Sequence, residues 1–364
     1  MSHTIEVPIN YQKNYTIHIG NDIWDHIIEF SSDSYAQRLA FVVIDEQVHR
    51  LHFDKISREL GSYFDRVETY VVPEGEQSKN SRQWQRIVDF ILKNGAERGT
   101  PLFAIGGGVT GDLAGFAASS ALRGIPLIHL PTTLLAMVDS SIGGKTGINH
   151  DVGKNLIGAF YQPDAVFADT QFLGTLDRGE WINGLSEVLK YGAIRAPEIF
   201  DTAASLIEDP GFKPTEAWAE LIAQSAEIKV RVVEKDTLEA GTRAFLNYGH
   251  TFGHALEKRS GYGNISHGQA VFIGMIAATY ASVKLGADIE SARFEPFKSL
   301  YPIQLQELVP ERSALITAMK TDKKVQDGQI RLILLDDWGS PYIYPCEGTQ
   351  LIEDAWSHAY EKFS

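Results

Sequence analysis

The segment at residues 100–115, TPLFAIGGGVTGDLAG, predicts a buried strand, a tight glycine turn and the start of a helix. Gly106, Gly108 and Gly111 follow the G-x-G-x-x-G spacing, in which glycines let backbone N–H groups approach a pyrophosphate at a helix N-terminus. The spacing alone is a weak signal, because an ordinary strand-to-helix turn also produces it. The acidic residue expected roughly 20 positions later is missing, and Asp45, at the end of an earlier apolar run, is the better candidate to hold a ribose hydroxyl.

Three more apolar runs extend this pattern to either side. They are RLAFVVIDEQV at 38–48, IPLIHLPTT at 125–133 and DAVFADT at 164–170, and the intervening segments are long enough for helices such as 81–93. Short β-branched runs that alternate with helices are typical of a parallel sheet buried on both faces. The first half is therefore predicted to be α/β, preceded by a β-hairpin formed by TIEVPIN and YTIHIG.

Strand signals nearly vanish from about residue 178 onward. Residues 181–193, 216–234 and 269–285 instead carry the apolar period of helices. A chain of 364 residues also exceeds what one core usually organises. We therefore expect an α/β domain at residues 1–178 and a mostly helical domain at residues 179–364, with a functional cleft between them.

The acidic composition limits the class of partner. A formal net charge of −14 disfavours nucleic acid or an anionic membrane, because the long-range field repels both. The single cysteine, Cys346, excludes an intrachain disulfide framework and suits a reducing cytoplasm. The N-terminus does not resemble a secretory signal, and no apolar run reaches the roughly 18 residues of a membrane span. An anionic small molecule can bind only where cations are gathered locally.

Several basic residues lie in settings unlike a solvated surface. Lys145 and Lys154 are surrounded by small and apolar residues, and Lys190 lies three residues after Glu187, on the same helical face. Four further polar residues are spaced four, three and four apart, as on one stripe of a single helix: Arg243, Asn247, His250 and His254. Such a stripe predicts the wall of a pocket that receives an anion.

Two common motifs can be excluded. IGGKT lacks the glycine that a P-loop carries five residues before Gly144, because Asp139 stands there. His250 and His254 have the H-x-x-x-H spacing of zinc peptidases, but Thr251 replaces the glutamate that must follow the first histidine.

A metal site of another kind fits the sequence. A catalytic zinc usually takes three protein ligands and keeps a fourth position for substrate or water. His267 stands at the start of an apolar helix, and Glu187 supplies a carboxylate from another helix. Glu187, His250 and His267 are therefore candidate ligands, and His254 is left to contact an anion. Spacing alone leaves open the alternative that these are satisfied polar residues.

Several segments taken together resemble the 3-dehydroquinate synthase family between residues 42 and 339. They are GGGVTGDLAGFAA, LPTTLLAMVDSSIGGKTGIN, GKNLIGAFYQP, NGLSEVLKYG, LNYGHTFGHALE and MKTDKKVQDGQIRLILL. Agreement over so many ordered segments is far more specific than any one motif. The resemblance implies an α/β NAD-binding domain with a parallel sheet, a mostly helical metal- and substrate-binding domain, a homodimer, and a zinc or cobalt ion on Glu187, His250 and His267.

The resemblance also implies the remaining site residues. NAD would be contacted by Asp45, Glu76, Lys79, Gly107, Gly108, Asp112, Thr132, Thr133, Lys145, Lys154 and Thr175. The substrate would be contacted by Asp139, Lys145, Asn155, Lys190, Lys229, Arg243, Asn247, His254 and Lys323, and by Arg123 from across the dimer. One position departs from the family: Gln269 stands where glutamate is usual, two residues after the last metal ligand, which puts the metal affinity in question.

The implied substrate accounts for the gathered cations. It is 3-deoxy-D-arabino-heptulosonate 7-phosphate, an intermediate of the shikimate pathway with a carboxylate at one end and a phosphate at the other. Lys229 and Arg243 suit the carboxylate, and the other basic and amide groups suit the phosphate. Transient oxidation by NAD, β-elimination of phosphate, reduction, ring opening and an aldol step would yield 3-dehydroquinate. The alternatives are another sugar phosphate cyclase, a metal-dependent polyol dehydrogenase, or a non-catalytic protein that has kept the fold.

Overall fold

The structure contains the parallel sheet that the apolar runs predict. The strands are β1 (Thr16–Gly20), β2 (Leu39–Asp45), β3 (Arg66–Val72), β4 (Leu102–Gly106), β5 (Leu127–Pro131), β6 (Lys145–His150), β7 (Gly153–Phe160), β8 (Ala165–Asp169), β9 (Ile330–Asp337) and β10 (Ser340–Cys346). One sheet has the order β1–β8–β5–β4–β2–β3, and every pairing in it is parallel. β6 with β7 and β9 with β10 form antiparallel pairs.

This computed structural model describes residues 13–36, 38–209, 211–239, 241–261, 263–320 and 329–364. The predicted site residue Lys323 and the segment TIEVPIN lie outside these residues. YTIHIG, the second half of the predicted hairpin, contains β1, which pairs in parallel with β8 at the edge of the sheet.

Helices connect the strands and dominate the second half of the chain. They are α1 (Trp24–Ser34), α2 (Glu46–Gly61), α3 (Ser81–Lys93), α4 (Gly108–Ser120), α5 (Arg178–Ile194), α6 (Glu198–Leu206), α7 (Glu216–Lys235), α8 (His250–Ser260), α9 (His267–Lys284), α10 (Glu295–Lys298), α11 (Leu305–Leu308), α12 (Arg312–Lys320) and α13 (Gln350–Lys362). Short 3-10 helices lie at Glu76–Ser78, Ala121–Arg123, Thr170–Thr175, Thr242–Asn247 and Ser291–Phe294, and a π-helical turn lies at Ala136–Ser140. In the described part of the chain, no helix has the length and apolar character needed to cross a bilayer.

The predicted fold class is confirmed, with one addition. The helices expected at 181–193, 216–234 and 269–285 are α5, α7 and α9. The antiparallel pair of β9 and β10 was not expected in the helical half. This pair packs on α9, and Leu335 N donates a hydrogen bond to Ser282 Oγ (3.0 Å).

Alternation along the strands gives the sheet two buried faces. Phe41 and Val43 of β2 belong to an apolar cluster with side chains of α3 and α4. Val42, between them, points to the opposite face, because successive strand residues alternate. The cluster on that face also contains Phe252 and Trp356 of the second half, so the two parts of the chain share one continuous core.

The predicted domain boundary coincides with a change in secondary structure. All strands of the parallel sheet precede Arg178, where α5 begins. We propose residues 178 and 179 as the boundary between the α/β domain and the mostly helical domain, joined through the continuous apolar core.

The prediction of one continuous helix from residue 243 to residue 254 is wrong. Residues 242–247 form a 3-10 helix, and α8 begins only at His250. Gly249 separates the two with φ of 78°, a left-handed conformation that side chains rarely adopt. Arg243 and Asn247 therefore approach the site from a different direction than His250 and His254 do.

Glycine also allows α8 and α9 to approach closely. A Cβ atom at Gly274 of α9 would lie 2.0 Å from the carbonyl oxygen of Gly249, at the start of α8. Because this neighbour is backbone, it cannot rotate away as a side chain would. The contact brings the first residues of the two helices, His250 and His267, into the same region.

Gly274→Ala is expected to lower the free energy of unfolding by about 3 kcal/mol, the upper range for overpacking against a rigid neighbour. Urea denaturation followed by circular dichroism measures the change. Gly179→Ala in α5 is the matched control, because a Cβ atom there would meet no atom of the described part of the chain within 4 Å. Equal stability of the two variants would show that the contact between α8 and α9 is not tight.

Candidate active site

Three side chains from three helices form a metal-type cluster. Glu187 lies in α5, and His250 and His267 are the first residues of α8 and α9. One ligand atom from each lies within 4.8 Å of the others. The Nε2 atoms of His250 and His267 are 3.3 Å and 3.5 Å from Glu187 Oε1. The predicted ligand set is therefore assembled in space.

The donor set fits a divalent cation. Both carboxylate oxygens of Glu187 are buried and accept no hydrogen bond in the described structure, although Lys190 Nζ forms an ion pair with one of them. Two imidazoles and a carboxylate are the usual ligands of a catalytic zinc, which keeps a further position for substrate. The His250 ring meets the His254 ring edge to face (5.6 Å between centroids), and His254 is not one of the three clustered ligands.

The two histidines have different protonation states. Burial lowers the pKa of His250 to about 4 against the opposing effect of Glu187, so this imidazole is neutral at physiological pH. Burial also acts to lower the pKa of His267, but Glu187 and Glu257 outweigh it and raise the pKa to about 10. His250 thus offers a free lone pair, whereas a metal ion must displace a proton from His267.

A chain of buried charges extends from the cluster. Lys190 pairs with Glu187 and lies 3.7 Å (Nζ to Oδ1) from Asp139, in the π-helical turn after β5. Lys229 Nζ donates to Asp139 Oδ1 over 2.8 Å, and the Tyr191 hydroxyl donates to the same oxygen over 2.7 Å. The predicted pair of Glu187 and Lys190 on one helical face is present, and carboxylates alternate with ammonium groups along the chain.

These neighbours keep the charges in place despite burial. Burial alone would raise the pKa of Asp139, but Lys229 and Lys190 hold it below its usual range. Burial alone would lower the pKa of Lys190, but Glu187 and Asp139 raise it. Burial dominates at Lys229, where the pKa falls to about 8 although Asp139 opposes the change. Lys229 is thus the ammonium group most easily neutralised near physiological pH.

Arg243 lies against the backbone of both halves of the chain. Its Nη1 donates to Thr237 O (2.7 Å) and its Nη2 donates to Gly143 O (3.2 Å), while Nε is buried without a hydrogen-bond partner among the described residues. Gly143 has φ of 93° and approaches the guanidinium closely. The backbone contacts fix the plane of this buried cation.

Lys145 and Asn247, two predicted substrate contacts, meet at a carboxylate that sequence reasoning missed. Lys145 Nζ forms an ion pair with Glu239, and Asn247 Nδ2 donates to Glu239 Oε1 over 3.4 Å. Burial tends to raise the pKa of Glu239, but Lys145 outweighs it and lowers the pKa. No motif marks Glu239, which lies in the connection after α7 with an unusual φ of 61°.

A second missed carboxylate, Glu257, lies beside the metal-type cluster. It is buried in α8, 3.2 Å from Lys154 Nζ and 3.6 Å from His267 Nδ1. Burial would raise the pKa of Glu257, but His267 and Lys154 outweigh it and keep the carboxylate ionised. Its position seven residues after His250, two helical turns along the same face, was the available signal.

Predicted NAD contacts lie along the carboxyl ends of the parallel strands, where open α/β sheets bind ligands. Asp45 ends β2 and caps α2 by accepting from Gln47 N and Val48 N. Gly107 caps α4, which begins at Gly108. Thr132 and Thr133 follow β5, and Thr132 N donates to Gly106 O over 3.0 Å.

Four further NAD candidates lie after strands of the sheet or in α4, and each has a polar partner. Lys79 forms an ion pair with Asp112 of α4. Glu76 Oε1 accepts from Asn149 Nδ2 over 2.7 Å. Thr175, after β8, is 2.7 Å from His52 through Oγ1 and Nε2.

Two predicted substrate contacts are separate from the buried charge chain. Arg123 ends the 3-10 helix after α4 with φ of 68°, and Asn155 lies on β7 with φ of 56°. Among the described residues, neither forms an ion pair or a hydrogen bond with the metal-type cluster or with Asp139. Lys323 is outside the described residues.

Gln269 has a local structural role. Its side-chain Oε1 accepts from Ser266 N (2.9 Å), and Ser266 Oγ accepts from Gln269 N (3.2 Å). This capping box starts α9 one residue before His267, and glutamine satisfies it as glutamate would.

Comparison with known families covers both halves of the chain. The family model described as 3-dehydroquinate synthase N-terminal matches residues 69–183, and the C-terminal model matches residues 184–325. A 3-dehydroquinate synthase of Nitrosospira multiformis is 44% identical over 337 residues, which cover 92% of this chain and 91% of that protein. The chain belongs to the 3-dehydroquinate synthase family. The resemblance drawn from the sequence segments is therefore confirmed.

Two solved structures extend the comparison beyond the 3-dehydroquinate synthase family. A 2-epi-5-epi-valiolone synthase from Streptomyces hygroscopicus, with NAD+ and Zn2+ bound, has a TM-score of 0.87 and 25% identity, covering 98% of this chain and 100% of that chain. A 2-deoxy-scyllo-inosose synthase complexed with carbaglucose-6-phosphate, NAD+ and Co2+ has a TM-score of 0.83 and 26% identity, covering 93% and 95%. The predicted cofactors, NAD and a zinc or cobalt ion, agree with these structures and with the cluster of Glu187, His250 and His267.

His250→Ala is expected to weaken zinc binding by more than about 100-fold, because loss of a ligand exceeds the effect of losing an outer hydrogen-bond partner. Competition with a chromogenic chelator measures the affinity. His254→Ala is the matched control, since its ring touches the His250 ring but lies outside the ligand set. Equal zinc affinity in His250→Ala and wild type would remove His250 from the ligand set.

Proposed function

We propose that this protein is a 3-dehydroquinate synthase, a carbon–oxygen lyase that converts 3-deoxy-D-arabino-heptulosonate 7-phosphate to 3-dehydroquinate and phosphate in the shikimate pathway. The observation that carries the proposal is the buried cluster of Glu187, His250 and His267 joined to the charge chain, in a chain that belongs to this family. An identity of 44% to a synthase of this name, against 25% and 26% to other cyclases, favours this substrate.

The two cofactors and the side chains of the protein supply different parts of the chemistry. Bound NAD supplies a temporary hydride acceptor, and a metal ion supplies a Lewis acid near the reacting hydroxyl. We assign the metal to Glu187, His250 and His267. The charge chain beside them holds ammonium groups where negative charge develops on the substrate, and because these groups are already fixed, little reorganisation is needed during the reaction.

The carboxylate end of the substrate is assigned to Lys229 and Arg243. Both cations are buried, and Arg243 Nε has no hydrogen-bond partner in the described structure. Asp139 holds Lys229, and Gly143 O and Thr237 O hold the guanidinium plane. A carboxylate that reaches this point meets two oriented cations.

The phosphate end is assigned to the other cationic and amide groups. They are Lys145, Asn155, Asn247, His254, Lys323 and, from a second protomer, Arg123. The meeting of Lys145 and Asn247 at the Glu239 carboxylate supports this assignment, because it marks a point where both side chains reach one anion. Lys190 and Asp139 are placed nearer the reacting carbons, next to the metal ligands.

NAD is assigned to the carboxyl ends of the strands. The N-terminus of α4 at Gly107 and Gly108 offers backbone N–H groups to the pyrophosphate. Around it lie the polar groups assigned to the same cofactor: Asp45, Glu76, Lys79, Asp112, Thr132, Thr133, Lys145, Lys154 and Thr175. We place the protein in the cytoplasm, where the buried free thiol of Cys346 suits a reducing environment.

A homodimer would cover the exposed apolar side chains of the antiparallel pair formed by β6 and β7. Val152, Leu156, Ile157 and Phe160 are exposed large hydrophobic residues of this pair and its turn. Charge on such a patch opposes self-association. Leu156→Glu is therefore expected to yield monomers and to reduce turnover, since Arg123 acts across the dimer. Light scattering measures the mass, and a monomeric wild type would contradict the proposal.

The assigned role of Lys229 predicts a pH dependence. With a pKa of about 8, its ammonium group is charged below that pH and loses its charge above it, so it no longer attracts the substrate carboxylate. kcat/KM should therefore fall as pH rises through about 8. Lys229→Met should have low kcat/KM and lack this decline. A decline that persists unchanged in Lys229→Met would assign it to another group.

A single incubation tests the overall function. Protein, NAD+, Zn2+ and the seven-carbon substrate should release phosphate and form 3-dehydroquinate in equal amounts, without accumulation of NADH. Stoichiometric NADH would indicate a polyol dehydrogenase. Turnover only of a substrate without a carboxylate would indicate another cyclase, and absence of phosphate release from every substrate would indicate a non-catalytic protein.

A further inference from the structure

Glu257 has no place in the assignments made so far, yet its carboxylate is buried. It lies in α8, seven residues after His250, and is enclosed between the metal-type cluster and β7. Burying an ionised carboxylate is costly unless partners compensate. Each of its two oxygens has one partner, and the two partners belong to different halves of the chain.

The first partner is a nitrogen of His267. Glu257 Oε2 is 3.6 Å from His267 Nδ1, while the opposite nitrogen, Nε2, is 3.5 Å from Glu187 Oε1. The imidazole therefore lies between two carboxylates, one facing each nitrogen. A shift of about 0.5 Å would bring Glu257 to the ordinary hydrogen-bond distance from Nδ1.

His250 is oriented in the same way as His267, but the partner of its outer nitrogen is an uncharged carbonyl group. His250 Nδ1 is 3.2 Å from the carbonyl oxygen of Tyr248, and its Nε2 faces Glu187. Both histidines thus present Nε2 to the cluster and Nδ1 to an acceptor. An acceptor on the outer nitrogen fixes the tautomer and the ring direction of a ligating histidine. At His267 that acceptor is a full negative charge, which makes the ligand more basic.

The other oxygen of Glu257 contacts Lys154 of β7, 3.2 Å from Nζ. Lys154 belongs to the α/β half, and His267 belongs to the helical half. One carboxylate therefore contacts a side chain from each half.

We propose that Glu257 is a positioning residue that holds His267 Nδ1 and directs Nε2 at the metal. The inference rests on the proposed metal-dependent function, since it concerns how one of the three ligands is held. Glu257 itself contacts neither metal nor substrate in this scheme.

Cobalt binding to the full-length protein, first stripped of metal, tests the proposal. Glu257→Gln keeps the shape of the side chain but removes its charge, so Co2+ should bind about 10- to 100-fold more weakly and with an altered visible absorption spectrum. Glu295→Gln is the matched control, because Glu295 pairs with Lys362 outside the site. A folded Glu257→Gln protein with wild-type affinity and spectrum would overturn the proposal.

Two further variants separate the possible causes. Lys154→Met removes the other partner of Glu257 and should leave the cobalt spectrum unchanged. If Lys154→Met instead weakened Co2+ binding as much as Glu257→Gln does, the effect would pass through Lys154, and the proposal would be overturned. Glu257→Asp keeps the charge but shortens the reach. It should also weaken Co2+ binding, and it provides the test if Glu257→Gln does not fold; wild-type binding by Glu257→Asp would then overturn the proposal.

Failure of this inference is distinguishable from failure of the proposed function. If wild type binds Co2+ and releases phosphate while Glu257→Gln matches it in affinity and spectrum, only the role of Glu257 is wrong. If wild type binds Co2+ and Glu257→Gln binds it weakly, but no substrate is turned over, the proposed reaction is wrong and the role of Glu257 stands. Wild type that binds no Co2+ overturns both.

Discussion

The close approach of α8 and α9 is the constraint on which the site depends. Gly274 of one helix lies against the backbone of Gly249 at the start of the other, where a methyl group would not fit. Both helices begin with a metal-type histidine, so their separation sets the separation of two imidazoles. Glu187 of α5 completes the cluster, because its Oε1 lies 3.3 Å from His250 Nε2 and 3.5 Å from His267 Nε2. The separation of two of the three candidate ligands thus depends on one glycine contact.

Charge alternation allows so many ionised groups to remain buried. Glu187, Lys190, Asp139 and Lys229 follow one another as carboxylate, ammonium, carboxylate and ammonium. Each charge has an opposite neighbour, so desolvation is offset by pairing. An acidic protein can hold an anionic substrate by this means, because the electric field at the substrate is set by the nearby buried charges more than by the net charge of the whole chain.

Local patterns predicted much of this arrangement. The apolar runs predicted the parallel sheet, and the three-residue spacing predicted the pair of Glu187 and Lys190 on one helical face. The prediction that residues 243–254 form one helical stripe was wrong, because Gly249 adopts φ of 78° and interrupts the helix. Glu239 was missed because nothing local distinguishes it from a surface acid, and Glu257 was missed although it lies seven residues after His250. Their partners Lys145 and Lys154 lie 94 and 103 residues away along the chain.

The sequence by itself determined the fold class and the family, because periodicity and ordered motifs are local in the chain. The family resemblance then gave Glu187, His250 and His267 as the proposed metal ligands. Only the tertiary structure decided which groups accompany those ligands. A carboxylate becomes the partner of His267, or the meeting point of Lys145 and Asn247, through packing between distant segments. Contacts between distant segments depend on backbone direction and interhelical distance. The spacing of residues along a short segment predicts neither of them.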